Sequence, residues 1–208
     1  MPYPDGKKFE VLQAPAIPVK KVVKFIQNTE DRNGRMLHLM AQEDGNQCGV
    51  CALFNVLKLA GIETDYIDTN VEPTVFMNRI RENLGIDQKA WLSTSNLLTV
   101  LNEIFLNDDE TTIGHGFNAP GGVSDEGKRN LQREIQVNIN FHDCFIVNSG
   151  RHYTAIAKEN DRFIKFDSLT QKLDILSPAQ FENFLQGSIQ YFAIKKPAKK
   201  KFQIQFRD

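Results

Sequence analysis

The chain has 208 residues, of which 41% are hydrophobic and 25% are charged, and its formal net charge is −1. This length and composition are typical of a globular protein with a substantial core, and the near-zero charge argues against binding to nucleic acid or to an anionic lipid surface. The sequence has neither a run of about 18 apolar residues, which an integral membrane segment needs, nor the apolar N-terminal core of a secretion signal. We therefore expect a cytoplasmic protein, and delivery into a host cell cytosol without such a signal stays open.

An extended arm is expected at the N-terminal end of the chain. Residues 1–18 contain four of the eight prolines, and proline lacks the backbone N–H that helices and sheets need. We predict an extended arm over residues 1–35, in which residues 19–28 form a short helix or strand.

Helices are predicted to follow the arm, because apolar side chains recur there at helical spacing. The first helix begins at Cys48 and is closed by Gly61, a residue type that commonly ends helices. Ser95 is predicted to cap the third helix. The predicted helices cover residues 48–60, 75–84, 96–105 and 125–136.

A polar, glycine-rich stretch lies between the third and fourth predicted helices. A connection of this length inside a compact domain is usually functional or mobile. We predict that residues 107–123 form a mobile loop beside the binding cleft, where it helps to select the substrate.

After Phe141 the sequence changes to short segments rich in β-branched and aromatic residues, with turn residues between them. These segments are CFIVNS, HYTAIAKE, RFIKFDS and QYFAIKK. Before the last of them, Ser177 and Pro178 predict the start of a short helix. Helices followed by a mostly antiparallel sheet predict an α+β fold. We expect a single domain over residues 1–208 that ends in a basic tail, residues 195–208.

Cys48 and Cys51 stand three residues apart at the start of the first predicted helix. A thioredoxin-type redox pair would need an apolar strand directly before it, whereas the preceding QEDGN is polar. A zinc site would need a second ligand pair, and His142 with Cys144 falls in a strand region. A buried structural role is common for a cysteine without a disulfide, and we interpret Cys51 and Cys144 in this way. With an odd count of three, the cysteines are expected to be reduced.

A catalytic role for Cys48 needs a base and a group that orients the base. His152 opens the predicted strand HYTAIAKE and Asp167 ends the next one, so an antiparallel pair would bring the two side chains together. A helix start favours a thiolate at Cys48. The Gln42 amide, six residues earlier, is within reach to donate to an oxyanion. The sequence therefore predicts thiol-dependent acyl transfer, which requires no metal or cofactor.

These stretches resemble the papain-like cysteine peptidases. QEDGNQCGVCALFNVLKLAG is similar to the Gln-to-Cys loop and central helix of the C39 bacteriocin-processing peptidases. Residues 144–196 resemble the josephin deubiquitinases, with His152 at a strand start, an acid fifteen residues later, then SL, a short helix and a closing strand. The interval from Gln42 to Cys48 is that of the C39 group and is one residue longer than in josephins. Asp167 stands where josephins commonly have asparagine.

The resemblance implies a papain-like fold, in which the helix with Cys48 packs on an antiparallel sheet that carries His152 and Asp167. It also implies a protein substrate, either ubiquitin or a ubiquitin-like protein, which is cleaved at an isopeptide bond. In this interpretation Cys48 is the nucleophile, His152 the base, Asp167 the orienting acid and Gln42 the oxyanion donor.

Two alternatives use the same residues or the same groove. Papain-like bacterial effectors deamidate a glutamine in a target protein, so that ammonia leaves in place of a protein amine. A catalytically inactive binding module could use the groove alone. The complete set of Cys48, His152 and Asp167 argues against the inactive module, because a degenerate domain often lacks one of them.

Overall fold

The computed structural model describes residues 25–30, 36–42, 45–62, 73–87, 90–105, 111–116 and 123–196. In chain order their strands and helices are β1 (Phe25–Glu30), β2 (Met36–Met40), α1 (Cys48–Leu59), α2 (Pro73–Asn83), α3 (Thr94–Phe105), β3 (Thr111–His115), α4 (Asp125–Phe141), β4 (Cys144–Asn148), β5 (Tyr153–Glu159), β6 (Arg162–Asp167), β7 (Lys172–Leu176), α5 (Pro178–Gln186) and β8 (Gln190–Ile194). The predicted α+β class is confirmed.

Six of the strands form one antiparallel sheet, in the order β3-β8-β4-β5-β6-β7, while β1 pairs with β2 alone. Neighbouring strands of the large sheet run in opposite directions. One end of the sheet is therefore formed by the end of β4, the start of β5, the end of β6 and the start of β8. His152 and Asp167 lie at this end of the sheet, before the start of β5 and at the end of β6.

Helix α1 packs against β5 on one face of the sheet and also against β2. Its sequence, CGVCALFNVLKL, is apolar around most of its circumference, as is usual for a helix in the centre of a protein. Asn55 is the polar exception. Its amide nitrogen donates to the Met40 carbonyl at 2.8 Å, and its amide oxygen accepts from the Met40 N–H at 2.6 Å. Both polar atoms of the buried amide are therefore hydrogen-bonded, and the two bonds hold β2 against α1.

Helices α4 and α5 lie on the other face of the sheet, over a second core. This core is built around the rings of Phe145, Phe163 and Phe181, with centroids 4.1 Å apart for Phe163 and Phe181. Helix α5 begins where the sequence predicted. The Ser177 hydroxyl accepts from the Gln180 N–H, and the Gln180 side chain accepts from the Ser177 N–H at 2.8 Å. This reciprocal cap satisfies N–H groups that a helix start otherwise leaves unpaired.

The prediction of a mobile loop over residues 107–123 is wrong in part, because Thr111–His115 forms strand β3. This strand pairs with β8 and becomes one edge of the six-stranded sheet. Its Thr-Thr-Ile run is β-branched and suits an extended backbone. Strand spacing places β3 about 14 Å from β5, so this part of the segment does not lie beside the start of β5. Residues 107–110 and 117–122 lie outside the described residues.

The N-terminal prediction is also wrong in part. Strand β1 falls within residues 1–35, which were predicted to form an arm, and it supports the strand alternative for residues 19–28 from Phe25 onward. Residues 1–24 lie outside the described residues, as do residues 197–208 of the predicted basic tail.

Two helix ends differ from the predictions. Helix α3 is capped by Ser93 and not by Ser95, because the Ser93 hydroxyl accepts from the Asn96 N–H at 3.2 Å. In return, the Ser93 N–H donates to the Asn96 side-chain oxygen at 3.1 Å. Helix α4 was predicted to end at residue 136 and continues to Phe141, since its apolar face stays packed on the second core for another turn.

Gly116, directly after β3, has no space for a side chain. Its N–H donates to the Ile189 carbonyl at 2.9 Å, and a Cβ there would lie 1.5 Å from the Ser188 carbonyl oxygen. Gly116→Ala is therefore expected to lower the free energy of unfolding by about 3 kcal/mol, since backbone cannot move aside as a flexible side chain can. Urea unfolding measures this. Gly45→Ala is the control, because nothing lies within 4 Å of a Cβ at Gly45; equal values for the two variants would contradict the position of β3.

Candidate active site

Cys48 is the first residue of α1, as the sequence predicted. The unpaired N–H groups of the first turn give this end of the helix a partial positive charge, which favours an anion. The turn reads Cys-Gly-Val-Cys and so contains no carboxylate that would oppose a thiolate. The position suits a nucleophilic sulfur.

His152 and Asp167 come together where β5 begins and β6 ends. The His152 Nε2 lies 2.8 Å from the Asp167 Oδ1. That carboxylate oxygen also accepts from the backbone N–H groups of Leu169 at 2.9 Å and Thr170 at 3.3 Å. The turn after β6 therefore holds the carboxylate in place, and the carboxylate holds the imidazole.

Cys48 is the second partner of the His152 ring. The hydrogen bond to Cys48 raises the pKa of His152, burial lowers it, and the hydrogen bond and negative charge of Asp167 raise it again, so that it lies above its ordinary value. Because Nε2 is engaged with Asp167, the ring presents Nδ1 to the sulfur. A base held by a carboxylate and placed beside a thiol can accept the thiol proton.

The charge on Asp167 is stabilised by its hydrogen bonds. Burial raises the pKa of Asp167, but the bonds from His152 and from the backbone N–H groups of Leu169 and Thr170 outweigh burial and hold it below its usual value. Asp167 is therefore ionised at neutral pH and can stabilise a protonated His152.

Gln42 is fixed to the residue that follows Asp167. Its backbone N–H donates to the Ser168 carbonyl at 3.0 Å, and its side-chain oxygen accepts from the Ser168 hydroxyl at 2.8 Å. With Oε1 held in this way, the orientation of the Gln42 amide group is fixed relative to the turn after β6. The role of Ser168 was missed from sequence, because no local pattern connects residues 126 positions apart.

The sulfur of Cys48 is covered in this structure, with only 1% of the residue exposed. The thiol donates to the Arg151 carbonyl at 3.9 Å, within a turn where Gly150 and Arg151 both adopt positive φ angles. The backbone of this turn therefore contacts the Cys48 side chain.

Cys51, Cys144 and His142 are buried and contact other parts of the fold. Cys51 and Cys144 are buried as predicted, and burial raises the pKa of the Cys144 thiol. The His142 ring contacts the Asn138 carbonyl at 3.1 Å and the Thr112 hydroxyl at 3.3 Å. Within the described residues, no three His, Cys, Asp or Glu side chains form a group that could hold a metal ion. The three cysteines, all of them described, form no disulfide.

Comparisons with known proteins give likenesses to solved structures but no match in sequence. The sequence matches no family model and no curated protein. Among solved structures the chain is similar to the peptidase domain of Streptococcus ComA, a bifunctional ABC transporter involved in a quorum-sensing pathway, with 15% identity and a TM-score of 0.40. The similarity covers 74% of this chain and 96% of that one. Within the part of the chain that the structure describes, no helix combines the length and apolarity needed to cross a bilayer.

Proposed function

We propose that the chain is a papain-like cysteine hydrolase that cleaves an amide or isopeptide bond in a protein substrate. The observation that carries this proposal is the position of His152, whose ring bonds to both Cys48 and Asp167. A structural cysteine at a helix start needs no such partner. A base held by a carboxylate and directed at a thiol is the arrangement that nucleophilic catalysis requires.

In the proposed mechanism His152 takes the proton of Cys48, and the thiolate attacks the carbonyl carbon of the substrate. The oxyanion that forms is stabilised by the Gln42 amide and by the Cys48 backbone N–H. His152 then protonates the leaving amine as the C–N bond breaks, which leaves a thioester on Cys48. A water molecule, deprotonated by His152, attacks the thioester, and the C–S bond breaks to release the acid and restore the thiol.

For the substrate we propose ubiquitin or a ubiquitin-like protein, cleaved at an isopeptide bond. The support is the resemblance of residues 144–196 to the josephin deubiquitinases. Three cysteines without a disulfide favour a cytosolic site of action.

Deamidation of a protein glutamine is the second candidate. It is favoured by the same covered sulfur, because a side-chain carboxamide is small enough to enter a restricted site. The same Cys48, His152 and Asp167 would act, and ammonia would be the leaving group.

A ubiquitin-derived electrophilic probe tests the proposal. An isopeptidase is expected to form a covalent adduct at Cys48, and the Cys48→Ala variant should form none. A deamidase should ignore the probe, yet raise the mass of a protein target by about one dalton, as expected when an amide becomes an acid. Reversible binding of ubiquitin without an adduct would support the binding module and contradict the hydrolase.

A further inference from the structure

Trp91 is the single tryptophan of the chain, and 40% of its surface is exposed. The next residue, Leu92, is fully buried. The buried Leu92 side chain holds the segment before α3 against the core, and the neighbouring Trp91 indole lies at the surface.

The segment with Trp91 contacts α1 one residue beyond the nucleophile. A Cβ built on Gly49 would lie 3.0 Å from the Leu92 Cβ and 3.7 Å from a ring carbon of Tyr153. Tyr153 follows His152 directly and contacts the indole edge-on, with ring centroids 6.4 Å apart. The Trp91–Leu92 segment therefore contacts the residues that directly follow Cys48 and His152, namely Gly49 and Tyr153.

The support beneath the indole is rigid. The Tyr153 side chain is buried, and its hydroxyl lies 3.2 Å from the Thr94 hydroxyl, which donates to the Gln190 side chain at 2.7 Å. These bonds connect the start of α3 with strands β5 and β8. An exposed aromatic ring on a fixed support loses little conformational entropy when a ligand covers it.

We propose that Trp91 is a specificity-determining residue, whose exposed indole face packs on an apolar side chain of the substrate segment bound at Cys48. The inference rests on the proposed function and narrows its substrate class to proteins with an aliphatic or aromatic residue close to the scissile bond. Tryptophan anchors contribute strongly when a ligand covers them, because a large apolar ring then leaves water.

Two alkylating reagents of different apolarity test this without any natural substrate. Iodoacetamide and N-benzyl iodoacetamide both form a C–S bond at Cys48 and release iodide, and the benzyl ring imitates an apolar substrate side chain. We expect the rate ratio of the benzyl reagent to iodoacetamide to fall about three- to tenfold in Trp91→Ala, the range that one aromatic contact provides. Trp91→Phe should keep most of the ratio.

Phe141→Ala is the matched control, since Phe141 is 67% exposed at the end of α4, on the face opposite α1. Its rate ratio should equal that of the wild type. The wild type also offers a readout that needs no variant, because alkylation at Cys48 by the benzyl reagent should shift the emission of the single tryptophan to shorter wavelength. Iodoacetamide should shift it much less.

The outcomes separate this inference from the proposed function. A rate ratio that is the same in wild type and Trp91→Ala, or an emission spectrum that the benzyl label leaves unchanged, would overturn the role of Trp91 alone. Alkylation of Cys48 that does not depend on His152 would overturn the proposed function and this inference with it.

Discussion

Replacing Cys48 by alanine is expected to lower hydrolysis by about 10⁴-fold or more, the scale on which removal of a nucleophile acts. Without the sulfur no thioester can form, although His152, Asp167 and Gln42 stay in place. The unfolding free energy should change little beyond the loss of one small buried group, because Cys48 lies at the first turn of α1. Single-turnover hydrolysis with purified variants measures the loss, and urea unfolding checks the fold.

Cys51→Ala is the matched control for this prediction. Cys51 lies one turn further along α1 and is just as buried, so the substitution removes the same atoms without removing the proposed nucleophile. We expect it to retain activity and to lose about 1–2 kcal/mol of stability, as for other small truncations in a core. If Cys51→Ala abolished turnover without unfolding the protein, a redox pair of Cys48 and Cys51 would replace the acyl-transfer mechanism.

The parts of the site that could be predicted from sequence depend on local structure. Cys48 begins an apolar run with helical spacing, so the start of α1 was visible. His152 and Asp167 flank two strands joined by a short turn, and antiparallel pairing of adjacent strands places such ends side by side. In each case a few neighbouring residues determine the geometry.

The features that could not be predicted depend on contacts between distant parts of the chain. Strand β3 is stabilised by pairing with β8. Its short Thr-Thr-Ile run lies between acidic residues and glycines, which are typical of a loop, so the sequence did not predict a strand there. The bond between Gln42 and Ser168 spans most of the sequence. The bond from Cys48 to the Arg151 carbonyl also joins residues far apart in the chain, and it uses a backbone atom that any residue type provides.

His152→Ala should slow alkylation of Cys48 at neutral pH by about 10²-fold or more, because it removes the base that accepts the thiol proton. Asp167→Asn is expected to be milder, since an amide oxygen can still accept from the imidazole and orient it. The measurement is the rate of alkylation by iodoacetamide between about pH 5 and pH 10, a range that spans the ordinary pKa values of histidine and cysteine. The wild type and the two variants are compared with the label mapped to Cys48.

The direction of the pH effect on stability gives an independent check. The pKa of His152 is raised in the folded state by its bond to Cys48 and by Asp167. The stability that its proton provides is complete below the unfolded pKa of about 6.5 and is lost as pH rises through the folded value. The difference in unfolding free energy between wild type and His152→Ala should therefore be largest in mildly acidic solution and decrease in alkaline solution. If this difference did not change with pH, and Cys48 in His152→Ala kept its reactivity at neutral pH, the sulfur would not be paired with His152 and the enzyme assignment would be wrong.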